Sequence, residues 1–237
     1  MNLNDNILKS QEDLKTIKVN QDSIIVKAKF GPSKETTIPL ILSEELSFFI
    51  ATIIGDGHLK KDKKQIIIEL SDKKLLEFIQ EICINIFNRS FNIKKIKPRE
   101  GRKLTHAIYM DSKAIHNLLN QTFEIPTGNK SNIVYIPGFI RNSDYKIKAS
   151  FLSGIMMTEG GKRRKGFGLS TSSKNLWKDL IKIFNELGIK VLIDKWIYKK
   201  YNKEYYGFYF KKEKIELLAE LINNKKMSKL LLNRFTY

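Results

Sequence analysis

A chain of 237 residues, 42% of them hydrophobic, can bury a core without covalent staples, and a single cysteine excludes a disulfide framework. The formal charge of +18, from 43 Lys and Arg against 25 Asp and Glu, makes a polyanion the expected partner. No run has the apolar length of a membrane span, no helix-like segment gathers its cations opposite large apolar groups, and the start MNLNDNILKSQEDLK is too polar for a secretory signal, so a membrane role is not expected.

In chain order, residues 1–42 read as an N-terminal extension, because TIKVN and SIIVKAKF alternate like a hairpin. Ser43, Glu44 and Glu45 are a helix start, a serine cap with acids at the positive end, and predict an apolar helix over 44–56. A basic strand over 65–70 follows, with a partner strand near Leu59. Next come a helix over 72–87, in which Cys83 is a core filler, strands near 93–98 and 104–110, and a short helix over 112–122. Pro126, Gly128, Pro137 and Gly138 mark a linker over 124–143. Beyond it the plan returns: helix 144–159, strand 166–171, helix 173–187, strands 190–198 and 204–210, helix 212–223.

The return is visible residue by residue. FFIATIIGDG at 48–57 matches FLSGIMMTEG at 151–160, SDKKLLEFI at 71–79 answers SSKNLWKDL at 172–180, and HAIYM at 106–110 answers YGFYF at 206–210. All three offsets are about 100 residues, as one duplication would leave them. Each copy, 43–123 and 144–237, therefore reads αββαββα, and the class is α+β.

Both apolar helices end in an acid and a glycine, Asp56-Gly57 and Glu159-Gly160, where the glycine suits a left-handed helix stop. A carboxylate at the negative end of a helix needs a cation to offset it. Ala51 and Gly55, like Gly154 and Thr158, are spaced to give each helix a low ridge, so two such helices can pack closely and bring their acids together. Like charges that close raise one pKa or recruit divalent metal. One such helix is unremarkable; two at matching points of a duplicated unit point to function.

On these residues the chain resembles the LAGLIDADG homing endonucleases. Phe49 to Gly57 and Leu152 to Gly160 both follow the nine-position motif. The likeness runs from about residue 40 to the C-terminus, and the GDGH form of the first motif and PTGNKSNIVYIPGF at 126–139 look most like archaeal and intein-associated members. The resemblance implies a saddle of two four-stranded antiparallel sheets over duplex DNA, with the two motif helices at the centre. It also implies Mg²⁺, with Mn²⁺ or Ca²⁺ as alternative occupants, held by Asp56 and Glu159 with the backbone carbonyls of Gly55 and Thr158. A helper lysine is implied near each acid. Lys130 matches the first, and repeat arithmetic places the second near Lys226, with Lys225 and Lys229 as rivals. Lys162, close behind Glu159, is a further candidate. Leu70 and Thr171 stand where the family often has glutamine or another polar group, and Thr158 fills a slot usually held by alanine or glycine.

Strand alternation leaves one sheet face free for the major groove. The candidates there are Lys60, Lys61, Lys64, Gln65, Ile67, Glu69, Lys97, Arg99, Arg102 and Lys103 in the first copy. In the second copy they are Arg163, Arg164, Lys165, Lys195, Lys199 and Tyr201. Because the copies have diverged, the target is expected to be long and asymmetric, and one chain suffices as a monomer. The reading is thus a site-specific double-strand DNA endonuclease of intron homing, in the cytoplasm, nucleoid or an organelle matrix. The alternatives are a weak or inactive nucleic-acid-binding derivative such as an intron RNA maturase, an intein, and a structural basic protein. A start at Met1 and an end in RFTY do not carry splicing nucleophiles, and a structural protein leaves the matched acids unexplained.

Overall fold

A computed structural model describes residues 3–31, 33–62, 64–98, 101, 104–163 and 166–235, with Tyr201 described in its backbone alone. The N-terminal segment forms a helix, α1 (Leu3–Ser10), and strands β1 (Lys15–Val19), β2 (Ser23–Lys27) and β3 (Thr36–Pro39), paired antiparallel in that order. The expected hairpin is β1 with β2, and α1 and β3 are added to it. Four residues ending in proline are too few for alternation to announce β3, yet Ile38 is fully buried and faces Ile24 across the pair with β2.

The first repeat comprises α2 (Glu44–Ile54), β4 (Gly57–Leu59), β5 (Gln65–Leu70), α3 (Lys73–Phe87), β6 (Ile93–Ile96), β7 (Thr105–Asp111) and α4 (Lys113–Asn117), which runs into a π-helical turn over Leu118–Thr122. A short helix, α5 (Gly138–Arg141), precedes the second repeat. That repeat comprises α6 (Tyr145–Glu159), β8 (Gly161–Arg163), β9 (Gly166–Thr171), α7 (Lys174–Glu186), β10 (Leu192–Tyr198), β11 (Lys203–Phe210) and α8 (Glu213–Glu220). A last helix, α9 (Lys225–Arg234), lies outside the expected plan.

The fold is α+β, and the two repeats build the same antiparallel sheet: β4-β5-β7-β6 in the first, β8-β9-β11-β10 in the second. Alternation decides what each face does. Ile66, Ile68 and Leu70 on β5 and Ile108 and Met110 on β7 are buried. Tyr206, Phe208 and Phe210 do the same on β11, where Phe184 of α7 meets both phenylalanines edge-on or tilted. The opposite faces stay open.

Helix starts follow local chemistry. Ser43, Asp72, Asp144 and Ser173 each accept a hydrogen bond from the first turn of α2, α3, α6 and α7. Ser173 does more than cap, because its hydroxyl also donates to Val134 O at 2.5 Å and is wholly buried. Ser173→Ala is therefore expected to cost about 1–2 kcal/mol and to lower the melting temperature by roughly 2–8 °C in thermal denaturation.

At the centre, α2 and α6 pack side by side, and residues Leu46 to Ile54 of α2 are all buried. An apolar helix without a polar side must lie inside the molecule. Small residues let the two backbones touch: a Cβ on Gly154 would stand 2.7 Å from Ala51 Cβ and 2.8 Å from Phe48 O. Polar clamps fix the pair at its N-terminal end. Ser47 Oγ donates to Ile147 O at 2.9 Å, and Glu44 accepts from Ser150 Oγ and from the backbone and side chain of Asn223. Among the described residues no helix is long and apolar enough to cross a membrane.

Candidate active site

The far ends of α2 and α6 carry Asp56 and Glu159. Gly55 lies so close to Thr158 that an added Cβ would collide with its hydroxyl, so the helix ends meet backbone to side chain. The glycines after the acids are there for space and not for a left-handed stop. Neither has positive φ, and a Cβ on Gly57 would lie 2.5 Å from Ile53 Cα, while one on Gly160 would strike Met156 O. Thr158 fits its crowded slot by turning its hydroxyl onto its own helix, donating to Gly154 O at 2.9 Å.

The two acids open into separate clefts. Asp56 lines one of about 540 Å³ with Glu69, Lys97, Thr105, Thr158 and Arg234. Glu159 lines another of about 500 Å³ with Gly55, His58, Lys130, Ser170 and Tyr205. The arrangement is crosswise: each cleft combines the acid of one helix with the residue preceding the acid of the other. Both carboxyls open toward solvent on one side and are crowded by protein elsewhere. Burial pushes Asp56 up to about 6, with the charge of Glu159 adding to the rise and Lys130 and Arg234 opposing it. Burial likewise raises Glu159, against the pull of Lys130.

Lys130 is held by the loop after the first repeat, where Gly128 N donates to Leu59 O at 2.8 Å. Its ammonium donates to the carbonyls of Ile53, of Ile54 at 2.7 Å and of Gly55 at 2.8 Å, closing the last turn of α2. Burial lowers its pKa to about 8, although both acids act to raise it. Across the pseudo-symmetry, Arg234 at the end of α9 donates to Thr158 O and Gly160 O at 3.4 and 3.3 Å. Each acidic helix end thus has its own cation.

Arg234 was missed by the sequence reading, and a usable sign existed. The offset of 103 separating Asp56 from Glu159 carries Lys130 to within one residue of Arg234, whereas reaching Lys226 takes an offset of 96, shorter than any the repeated segments show. The structure puts Lys226 elsewhere: its ammonium pairs with Glu81 on α3 at 2.5 Å and sits over the Phe78 ring. It lies in the first turn of the helix that Arg234 ends, eight residues on, or about 12 Å along the axis. Lys162 pairs with Phe167 across β8 and β9, on the face opposite Arg163, and is not among the charges that shift either acid.

The donor set suits a hard divalent cation. Two carboxylates and backbone carbonyls are oxygen ligands of the kind Mg²⁺, Mn²⁺ and Ca²⁺ take. Among the described residues no group of three or more His, Cys, Asp or Glu gathers to hold a metal, so carbonyls and water would complete the coordination.

The open sheet faces flank this centre. On the first sheet His58, Ile67 and Tyr109 align across β4, β5 and β7, with Lys94 over the Tyr109 ring, and Gln65 donates to Asp111 at 2.6 Å. Glu69 shares that face and accepts from Thr105 at 2.6 Å. It lines the Asp56 cleft, while the neighbouring Leu70 is buried on the other face. On the second sheet the open face carries Arg163, which donates to Ser170 at 2.8 Å, with Trp196 stacked on Tyr205. Lys195 lies on the opposite face, pairing with Glu204 at 3.0 Å over the Tyr206 ring, and is thereby withdrawn from the groove-facing set. Period-two alternation puts it there, one residue out of phase with Trp196. Lys60, Lys61 and Lys64 surround the turn between β4 and β5, Lys97 lines the Asp56 cleft, and Lys199 sits exposed after β10. Arg99, Arg102, Lys103, Arg164, Lys165 and the Tyr201 side chain lie outside the described residues.

Paired acidic helices between two matching sheets are the arrangement that the resemblance of the two motifs implies. Residues 146–234 match the family model for a LAGLIDADG-like domain. In shape it is similar to I-DmoI in complex with DNA and Mn, with a TM-score of 0.55 and 17% identity over 78% of this chain and 99% of that one. It is also similar to the homing endonuclease I-WcaI bound to its DNA recognition sequence, with a TM-score of 0.50 and 20% identity over 81% of this chain and 87% of that one. Two curated relatives come from Methanocaldococcus jannaschii. A replication factor C small subunit is 30% identical over 164 residues, 69% of this chain and 8% of the relative. A glutamine–fructose-6-phosphate aminotransferase is 26% identical over 231 residues, 88% of this chain and 20% of the relative. The chain thus spans a small part of two relatives with unrelated names, and what they share with it is a segment.

Proposed function

We propose that this chain is a site-specific endonuclease that hydrolyses both strands of a long, asymmetric DNA duplex with a divalent cation, acting as a monomer in homing. The observation that carries the reading is the crosswise pairing at the helix ends, Asp56 with Thr158 and Glu159 with Gly55, one pair in each cleft. Two equivalent centres in one chain suit one cut per strand. Bound divalent cation would supply a metal-activated water and neutralise charge on the phosphate.

The chain's own groups do the rest. Asp56 and Glu159 hold negative charge where helix ends already concentrate it, which raises affinity for a cation and orients it. Lys130 and Arg234 place a positive charge beside each cleft, where negative charge develops on the phosphoryl oxygens. The two open faces differ, His58, Gln65, Glu69 and Lys94 on one and Arg163, Ser170, Trp196 and Tyr205 on the other, which supports a target whose halves are not alike. The DNA and Mn in the I-DmoI complex fit the same reading.

Incubating the chain with Mg²⁺ and a randomised duplex library, then recovering broken molecules, is the direct test. Enrichment of one long sequence is expected. Tight duplex binding without cutting would favour the maturase-like or inactive binder instead. With a charge of +18, affinity for duplex DNA should fall by roughly 10³-fold or more between 50 and 200 mM salt, read by fluorescence anisotropy. A shallow salt slope would remove phosphate contacts as the main source of affinity.

A further inference from the structure

We propose that Lys130 and Arg234 are built-in counter-cations, holding the C-terminal carbonyls of the motif helices in the metal-free protein and yielding Gly55 O and Thr158 O when a divalent cation binds. The inference rests on the metal-centre reading above and adds a competition to it.

Three observations support the competition. The carbonyls expected to complete the metal site are already taken: Gly55 O by the Lys130 ammonium at 2.8 Å, and Thr158 O by the Arg234 guanidinium at 3.4 Å. Each cation also sits where a carboxylate and the negative end of a helix coincide, so it offsets charge that would otherwise push the ends of α2 and α6 apart. Finally, an ammonium has three protons, and all three of Lys130 are spent on Ile53, Ile54 and Gly55. In this position it has none left for a phosphate or a water, so it must release the helix end to act on either.

Arg234 differs in kind. A guanidinium carries five donor protons, and two long bonds to Thr158 O and Gly160 O leave it able to hold the helix end and meet a phosphate together. Lys130 is therefore the side chain that has to move away, whereas Arg234 can give up Thr158 O and stay on Gly160 O.

Mn²⁺ alone, titrated into the full chain without DNA and followed by electron paramagnetic resonance, tests this. Lys130→Met is expected to bind Mn²⁺ roughly tenfold more tightly than wild type, because a unit positive charge leaves the site. Arg234→Met should tighten binding less, and Lys130→Arg should stay near wild type. In thermal melting, Lys130→Met should lose stability without metal and recover it at saturating Mn²⁺, so a folding defect and a binding effect separate. Unchanged or weaker Mn²⁺ binding by Lys130→Met, with wild-type binding intact and sensitive to Asp56→Asn, overturns the competition and leaves the metal centre standing. Absence of any Asp56-dependent binding in wild type overturns both.

Discussion

Asp56→Asn is expected to lower double-strand cleavage by roughly 10³-fold, and Glu159→Gln to do the same. The amide keeps the size of the carboxyl and removes its charge, so the loss reports the cation site and not packing. Because each cleft takes its acid from one helix and its carbonyl from the other, one substitution leaves the second cleft with its own acid. Each variant should then accumulate nicked duplex, cut on opposite strands in the two cases. A selected target labelled on each strand and resolved on a denaturing gel reads this directly. Linear product at the wild-type rate from both variants would remove the mechanism.

The same substitution should act on stability with the opposite sign. Asp56 has a pKa raised from 3.8 to about 6 in the folded chain, so the folded form holds its proton more tightly than the unfolded form. Stability of the metal-free protein then falls as pH rises through the window from about 4 to about 6, and the penalty is complete above it. Asp56→Asn lacks that penalty. It should melt roughly 2–4 °C above wild type at pH 8 without metal, and level with it near pH 4.

Gly154→Leu is the second large effect, expected to cost about 3 kcal/mol or more and to abolish cleavage. A side chain there meets Ala51 Cβ at 2.7 Å and Phe48 O at 2.8 Å, and one of these is backbone, so no rotamer relieves the contact. The helices must separate, and with them the acids. Denaturant unfolding measures the first effect and cleavage the second. Gly154→Ala isolates the cause, since it adds only the Cβ and should cost less. A Leu variant that folds with wild-type stability would show that α2 and α6 are not held by close approach.

Duplication made much of this legible in the linear chain. Helix and strand periods, together with an acid and a glycine at matching points of two copies, were enough to place α2 and α6 and single out Asp56 and Glu159. β5 and β9 come out at their expected bounds, because six residues of alternation between turn residues leave little freedom. Short or irregular pieces were less legible. β3 has too few residues to show a period, and α9 follows α8 through a turn that breaks the pattern.

Which cations lie at the acidic helix ends was decided only by packing. Lys130 and Lys226 look alike as residues in a strongly basic chain, and nothing local says that one is drawn onto three carbonyls and the other onto Glu81. Lys195 reads as a groove-facing cation until the register of β10 turns it away from the groove. The sequence alone determined the repeat, the class of fold and the two acids, because these depend on periodicity and on chemistry carried by single residues. Tertiary structure decided the crosswise clefts, the choice of Arg234 and the open faces of the sheets, because a distance between segments depends on how whole helices and sheets pack.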